Sequence, residues 1–235
     1  MFKKKKILAI IPARSGSKGL KNKNIKLLKK KPLIYWTILR ASQSKFIDRI
    51  IVTSDYKNLK KFEYSKKDII YLNRPKKYSQ DSTPADEVIN HVLLDRKKKK
   101  EHYDYIVYLE PTSPLRKKKD IDYCIEKLVK NLKYDTLITL GEIQENPNIC
   151  KKIINSRVFP FINSKITEQR RQDLTKAYFP YGVCYLSKTN FFLKKKTFYS
   201  KKTTFYKINR LQNIEIDDLD DFKIVDKMMK FFFKI

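Results

Sequence analysis

Ile7-Leu-Ala-Ile-Ile-Pro-Ala-Arg-Ser-Gly-Ser-Lys-Gly-Leu-Lys-Asn-Lys-Asn24 divides into two parts at Pro12. Residues 7–11 form a continuous apolar run, the pattern of a strand buried on both faces. Residues 13–24 are polar, with Gly16, Gly19, Ser15, Ser17 and four cationic side chains. Glycines let backbone N–H groups approach oxygens closely, and Lys and Arg offset their charge, so the loop suits a polyphosphate. Its spacing is neither GxxxxGK[ST] nor GxGxxG. A basic surface loop would have the same composition, but the position directly after a first buried strand favours the ligand reading.

Working outward, Pro32 opens an apolar-periodic helix (Leu33, Tyr35, Trp36, Ile38, Leu39). Ile47–Thr53 reads as a second buried strand, followed by Ser54, Asp55 and a basic helical stretch. Ile69–Leu72 is a third strand, and Thr83 begins a helix with Val88, Ile89, Val92, Leu93 and Leu94 on its apolar face. Tyr105–Leu109 is a fourth strand, running into Pro111-Thr-Ser-Pro114. A helix from Asp120 aligns Ile121, Cys124, Ile125, Leu128, Val129 and Leu132, and Thr136–Leu140 is a fifth strand. Strands alternating with helices predict an α/β fold, a Rossmann-like, doubly wound and mostly parallel sheet with ligands at the carboxyl ends of the strands. The rhythm breaks after Gly141. Residues 142–180 read as an irregular arm with a hairpin near Ile153–Ile162. Strands at Gly182–Leu186, Thr204–Ile208 and Ile214–Ile216 and a closing helix complete one domain over 1–235.

The chain holds 54 Lys+Arg against 25 Asp+Glu, a formal +29. Such a balance fits a nucleic-acid or anionic-membrane binder, but the lysine runs are scattered rather than gathered in one stripe, which favours a solvated surface that attracts small anions. A nucleic-acid binder would interleave aromatics with clustered basic residues, and here the aromatics fall mainly on core elements. Cys124, Cys150 and Cys184 are far apart and odd in number, which argues for a reducing compartment and against a thiolate metal site. With only His91 and His102, zinc is not expected, and His91 sits among apolar positions as a structural residue. The apolar stretch after Lys3–Lys6 is too short for a signal peptide and is cut by Pro12 and Arg14. The expectation is a soluble cytoplasmic protein with no membrane or nucleic-acid partner.

The motif Ile11–Gly19 with Lys21-Asn-Lys-Asn24 resembles the first motif of the CMP-sialic acid synthetases (acylneuraminate cytidylyltransferases). Further stretches agree in order: Ile50-Ile-Val-Thr-Ser-Asp55, Arg74-Pro75 with Asp81, Leu109-Glu-Pro-Thr-Ser-Pro-Leu-Arg116, Arg171-Gln-Asp-Leu174 and Ile214-Glu-Ile-Asp217. The resemblance implies a homodimer that joins CMP from CTP to a sialic-acid-like nonulosonic acid with release of pyrophosphate, using Mg²⁺. It places the nucleotide on Ala13, Arg14, Ser17, Lys18, Lys23, Asn24, Arg74 and Thr83. Arg14 and Lys23 would stabilise the departing pyrophosphate. The sugar would meet Glu110, Thr112, Ser113, Arg171, Gln172, Phe179 and Tyr181, several of them on the arm that also builds the dimer. A nucleotidyltransferase of the same fold acting on another sugar acid or a sugar phosphate is the second reading, and a basic nucleic-acid-binding protein the remote third.

Three departures from the family pattern matter. Glu110 stands where Gln is usual, and an ionised carboxylate cannot donate a hydrogen bond, so its sugar contact gives way to a possible part in the metal site. Glu215 replaces the first of two aspartates. With Asp217 it alternates against Ile214 and Ile216, so period two puts both carboxylates on one face, as hard oxygen ligands for Mg²⁺. Asp217 is also the candidate acceptor of the sugar hydroxyl proton. Helix capping is assigned to Asp218 or a later aspartate, and Ser113, before Pro114, has an N-cap as its structural alternative. Phe179 and Tyr181 replace an Arg and an Asn of the sialic-acid enzymes, which implies an acceptor with less polar substituents.

Overall fold

The computed structural model describes residues 2–57, 59, 68–162 and 170–233. The helical stretch expected after Asp55 falls largely outside these residues. The first apolar run becomes strand β1 (Ile7–Ala13). The short hairpin β2 (Leu27–Leu28) and β3 (Lys31–Pro32) leads into helix α1 (Leu33–Gln43). Then come β4 (Arg49–Ser54), β5 (Ile69–Asn73), α2 (Ala85–Lys98), β6 (Tyr105–Tyr108), α3 (Asp120–Lys130) and β7 (Thr136–Glu142). The arm carries the hairpin β8 (Lys151–Ile154) and β9 (Arg157–Pro160). It returns through β10 (Tyr178–Lys188) to α4 (Thr189–Lys195), β11 (Thr203–Lys207) and α5 (Leu219–Met228).

Among the described residues, seven strands form one sheet in the order β11-β7-β10-β6-β1-β4-β5. β1 is parallel to β4 and β6, β4 to β5, and β7 to β11, while β10 runs antiparallel between β6 and β7. The fold is thus the expected mixed, mostly parallel α/β sheet. Ile7 through Ile11 are fully buried, because side chains alternate between two cores. Ile7, Ala9 and Ile11 meet α1 and α3 on one face, and Leu8 and Ile10 meet α2 and Phe192 of α4 on the other. A third cluster seats α5 against Trp36 and Leu33 of α1 and Leu115. The chain leaves β1 toward β4 and β5, then returns to the other side of β1 at β6. This reversal splays the loops after β1 and β6 apart and opens a crevice between them.

Several elements differ from expectation. Helix α2 starts after Pro84, two residues beyond Thr83, and Leu94 lies half exposed on it. α3 ends at Lys130, so Leu132 falls beyond its apolar face and is exposed. β10 begins four residues before Gly182, because the return of the arm pairs Tyr178 with Glu142 of β7. Its register shifts between Pro180 and Tyr185, where the buried Thr139 hydroxyl donates to Tyr181 O at 2.6 Å and accepts from Cys184 N–H at 3.0 Å. Ile214–Ile216 joins no strand ladder; Ile216 N–H donates to Thr112 O at 2.9 Å, and the segment's other bonds run to side chains or from them. The hairpin of the arm is where the sequence placed it.

Arg116 locks the site end of the sheet. It is fully buried, its Nε donates to Val183 O, Nη1 to Thr37 Oγ1 at 2.9 Å, and Nη2 to Glu110 O at 3.0 Å and Gly182 O at 2.8 Å. Replacing it with Met would remove its bonds to three carbonyls and leave Glu110 O and Gly182 O with long backbone bonds, from Ser113 N–H at 3.3 Å and Glu110 N–H at 3.2 Å. Arg116→Met is expected to lose at least about 3 kcal/mol of stability, read as a lowered urea midpoint at unchanged slope.

Candidate functional site

The crevice at the strand reversal holds a cavity of about 470 Å³. The loop after β1 supplies Arg14, Ser17, Lys18, Gly19, Lys23 and Asn24; the end of β5 supplies Arg74; Thr83 precedes α2; the loop after β6 supplies Glu110, Pro111 and Thr112; Asp217 closes the far side. Ten residues expected from sequence therefore meet in one place.

Each cation in it has a partner. Arg14 Nη1 donates to Gly16 O and to Asp81 Oδ1, and Lys18 Nζ lies 3.5 Å from Asp81 Oδ2. Lys23 Nζ donates to Ile216 O at 2.6 Å and to Asp217 Oδ1 at 3.0 Å, with Asp217 itself 80% exposed. Asp55, at the end of β4, accepts from Ser15 N–H at 2.7 Å and from Ser15 O–H at 2.6 Å, fixing the middle of the loop. Asn24 is buried and donates to Arg14 O at 3.0 Å, so its amide braces the loop. Arg74 is buried, with Nη2 donating to Thr53 O at 2.6 Å, and its Nε has no partner among the described residues. A planar donor beside the apolar Val88 and Pro12 offers what a flat, acceptor-bearing ring needs. Thr83 Oγ1 sits 3.4 Å from Lys77 O.

Glycine is required where the loop meets the acidic side. A Cβ at Gly19 would lie 2.3 Å from Asp217 O, and one at Gly182 would lie 2.2 Å from Glu110 Oε2. Side-chain-free backbone thus lets the loop touch the 214–217 segment and lets Glu110 lie flat against β10. Burial, with the Glu215 carboxylate nearby, pushes the Glu110 carboxyl up to about 7.

Glu215 and Asp217 are not presented together. Without a strand the period-two argument lapses. Glu215 turns inward, its Oε1 accepting from Ser113 O–H at 2.9 Å and from Gly182 N–H, while Asp217 faces the cavity with Glu110. Ser113 is therefore a donor to Glu215 and caps no helix. Asp218 caps α5, accepting from Asp220 and Asp221 N–H at 2.9 Å, as the sequence indicated. His91 packs on Tyr78 with ring centroids 5.0 Å apart, a structural role. Among the described residues no cluster of three or more His, Cys, Asp or Glu forms a ready metal cage.

The sugar side is less gathered. Ala13 is buried behind the loop and does not line the cavity. Phe179 and Tyr181 stand on β10 in edge-on contact with centroids 5.1 Å apart, Phe179 half exposed, and they too lie outside the cavity lining. Gln172 is exposed, and Arg171 is placed by its backbone alone, at the start of a short 3-10 turn. Sequence reading missed Tyr108, which floors the cavity, and named Asp55 and Asp81 only as motif residues without their roles as clamps. Alternation along β6 assigns Tyr108 to a core face, and that core continues into the cavity floor.

A sequence model of the cytidylyltransferase family matches residues 8–233. An N-acylneuraminate cytidylyltransferase of Escherichia coli is 30% identical over 93% of this chain, which spans about half (51%) of that protein. A pseudaminic acid cytidylyltransferase of Campylobacter jejuni is 28% identical over 96% of this chain and 97% of that protein. Among solved structures, a CMP:2-keto-3-deoxy-manno-octonic acid synthetase complexed with CTP superposes with a TM-score of 0.68 at 16% identity, covering 96% and 98% of the two chains. At that identity the likeness shows the fold.

One prediction follows from Glu110. Its raised pKa means that the folded chain holds a proton that the unfolded chain releases between pH 4.5 and about 7. Stability from this group is present below that window and falls as pH rises through it. In chelator, Glu110→Gln should be more stable than the parent by roughly 1–3 kcal/mol at pH 8 and show no difference near pH 4.5, measured by urea unfolding across pH.

Proposed function

The chain belongs to the cytidylyltransferase family, and from that premise we propose that it transfers CMP from CTP to a sialic-acid-like nonulosonic acid. The single observation that supports this most is the cavity at the strand reversal, whose lining brings Arg14, Lys18 and Lys23 together with Arg74, Glu110 and Asp217. Cations for a triphosphate, a buried guanidinium for a base and carboxylates for chemistry are then present in one cavity.

In this reading the triphosphate lies along the 13–24 loop, with the cytosine toward Arg74 and Val88 and the ribose near Thr83. The sugar hydroxyl oxygen attacks the α-phosphorus, the bond from that phosphorus to the bridging oxygen breaks, and pyrophosphate leaves with the electron pair. Arg14 and Lys23 stabilise the charge that develops on the leaving group, so positioning and electrostatics supply most of the acceleration. The hydroxyl proton passes to Asp217, directly or through water.

The donor set fits Mg²⁺ better than any metal needing a full protein cage. Two carboxylates, Asp217 and Glu110, line the cavity, and Mg²⁺ commonly completes its shell with phosphate oxygens and water. Bound there, it would offset phosphate charge and polarise the α-phosphate. Glu215 ties Ser113 of the loop after β6 to Gly182 of β10, in place of the direct role its spacing suggested. The three free cysteines, and the lack of any helix among the described residues long and apolar enough to cross a membrane, agree with a cytoplasmic enzyme.

The partner we propose is a second copy of this chain, seated on the arm. Ile153, Ile154, Val158, Phe159 and Phe161 are all exposed on or beside the β8–β9 hairpin, an apolar surface that a lone chain leaves in water. The proposed acceptor is a nonulosonic acid with deoxy or acylated substituents, because Phe179 and Tyr181 offer aromatic faces and few donors.

Pyrophosphate release should require both CTP and Mg²⁺, with CTP preferred over UTP, ATP and GTP. Asp217→Asn should reduce turnover at least about a hundredfold while the melting temperature holds. Equal turnover of all four nucleotides, or full activity of the variant across a magnesium titration, would sink the reading. With purified protein and a panel of sugar acids, kcat/KM should be about tenfold or more higher for a deoxy or acylated nonulosonic acid than for N-acetylneuraminic acid. The reverse order would remove the acceptor assignment and leave the nucleotide chemistry standing.

A further inference from the structure

Two carboxylates clamp the phosphate loop, and they do different things. Asp55 takes the N–H and O–H of Ser15, groups that carry no charge, and so shapes the loop. Asp81 takes the cations. Arg14 Nη1 donates to its Oδ1, and Lys18 Nζ lies 3.5 Å from its Oδ2. Arg14 and Lys18 line the cavity and Asp81 does not. From its place between β5 and α2, Asp81 therefore holds, from outside the cavity, the two side chains that a polyphosphate inside it would need.

This carboxylate is charged at neutral pH, since the hydrogen bond from Arg14 holds it below the ordinary carboxylate range. A triphosphate and Asp81 compete for the same N–H groups, and their like charges repel. The segment that bears Asp81 also bears Arg74 and Thr83, which line the cavity too. Arg74 at its start is tied to β4, by N–H to Ser54 O at 2.8 Å and Nη2 to Thr53 O at 2.6 Å, while short turns (Tyr78 N–H to Pro75 O at 2.9 Å, Thr83 N–H to Gln80 O at 3.2 Å) shape the stretch that carries Asp81.

We propose that Asp81 is an internal counter-ion that occupies Arg14 and Lys18 until a triphosphate displaces it, so that nucleotide binding is an exchange of anions and residues 79–84 reposition with occupancy. The inference rests on reading the cavity as the nucleotide site. The occupied loop lowers apparent affinity by the fraction of molecules in which Asp81 has let go. In return, the cations are held in place beforehand, and the same carboxylate can retake them as pyrophosphate departs.

The test is calorimetric titration of CTP and of inorganic pyrophosphate, each with Mg²⁺, into the full chain, Asp81→Asn and Asp81→Glu. Asp81→Asn is expected to bind both ligands about three- to tenfold tighter, with the gain shrinking as salt is raised, because the lost pair is largely solvent-exposed. Asp81→Glu is expected to return affinity to the parent value. Hydrogen exchange on the parent chain gives a second reading: amides of residues 79–84 should change protection when pyrophosphate is added. Equal or weaker binding by Asp81→Asn, or unchanged exchange at 79–84, would overturn the inference and identify Asp81 as a brace that stays on Arg14. A parent chain that binds neither CTP nor pyrophosphate would overturn the nucleotide reading, and this inference with it.

Discussion

A guanidinium removed from water must find an acceptor for nearly every N–H it carries, and Arg116 finds them at one junction only. Its partners come from the loop after β6, from the irregular part of β10 and from α1. Burial lowers its pKa to about 10, which still leaves it charged at neutral pH. Its own carbonyl accepts from Arg40 Nε at 2.8 Å, which extends the lock to the third core cluster. Once Glu110 and Gly182 are tied to the same guanidinium, the Glu110 carboxyl has one place to lie, against a residue without a side chain. Glu215 is then drawn to the Gly182 N–H behind it, and Asp217 two residues on is turned toward Lys23. The acidic side of the cavity is thus a consequence of how one buried cation is satisfied.

Much of this was legible in the sequence because it is local. The run from Ile7 to Ile11 could only be a strand covered on both faces, and the polar loop after it could only sit at the strand's carboxyl end. The composition of the loop pointed to Arg14 and Lys23, alternation pointed to Asp217, and the family resemblance implied Arg74 and Thr83; all five line one cavity. What stayed hidden depends on contacts across the chain. Ser113 looked like a helix cap because Pro114 follows it, yet its hydroxyl is claimed by Glu215, a residue 102 positions away. Alternation at 214–217 imitated a strand, but a strand needs an open neighbour, and the 110–116 loop provides a single acceptor. Asp55 and Asp81 were visible only as members of motifs. Nothing local says that one would hold a backbone and the other a pair of cations.

The charge of +29 takes on a different look once the site is seen. Acidic residues are the scarce component, and several of them stand within reach of the cavity's cations: Asp81 on Arg14 and Lys18, Asp217 on Lys23, Glu110 below them. A loop of free lysines and arginine would bind any passing anion and would have no preferred shape. Paired, the same loop has a fixed form, and an incoming ligand must offer more than charge to displace the pairing.

The place of β10 in the sheet has a consequence for how the chain comes into being. It runs between β6 and β7 against both their directions, and it is made after both. As synthesis proceeds, β1, β4, β5 and β6 can associate early, since each finds its neighbour among residues already present. β6 then waits with one edge unpaired until some eighty further residues have emerged. An apolar, unpaired edge is a template for pairing with another chain. The wall carrying Gly182, and with it the seat of Glu110, is accordingly built late, and only the segment carrying Asp217 follows it. A ribosome stalled within residues 142–177 would hold the 13–24 loop with neither Gly182 nor Asp217 yet made to face it.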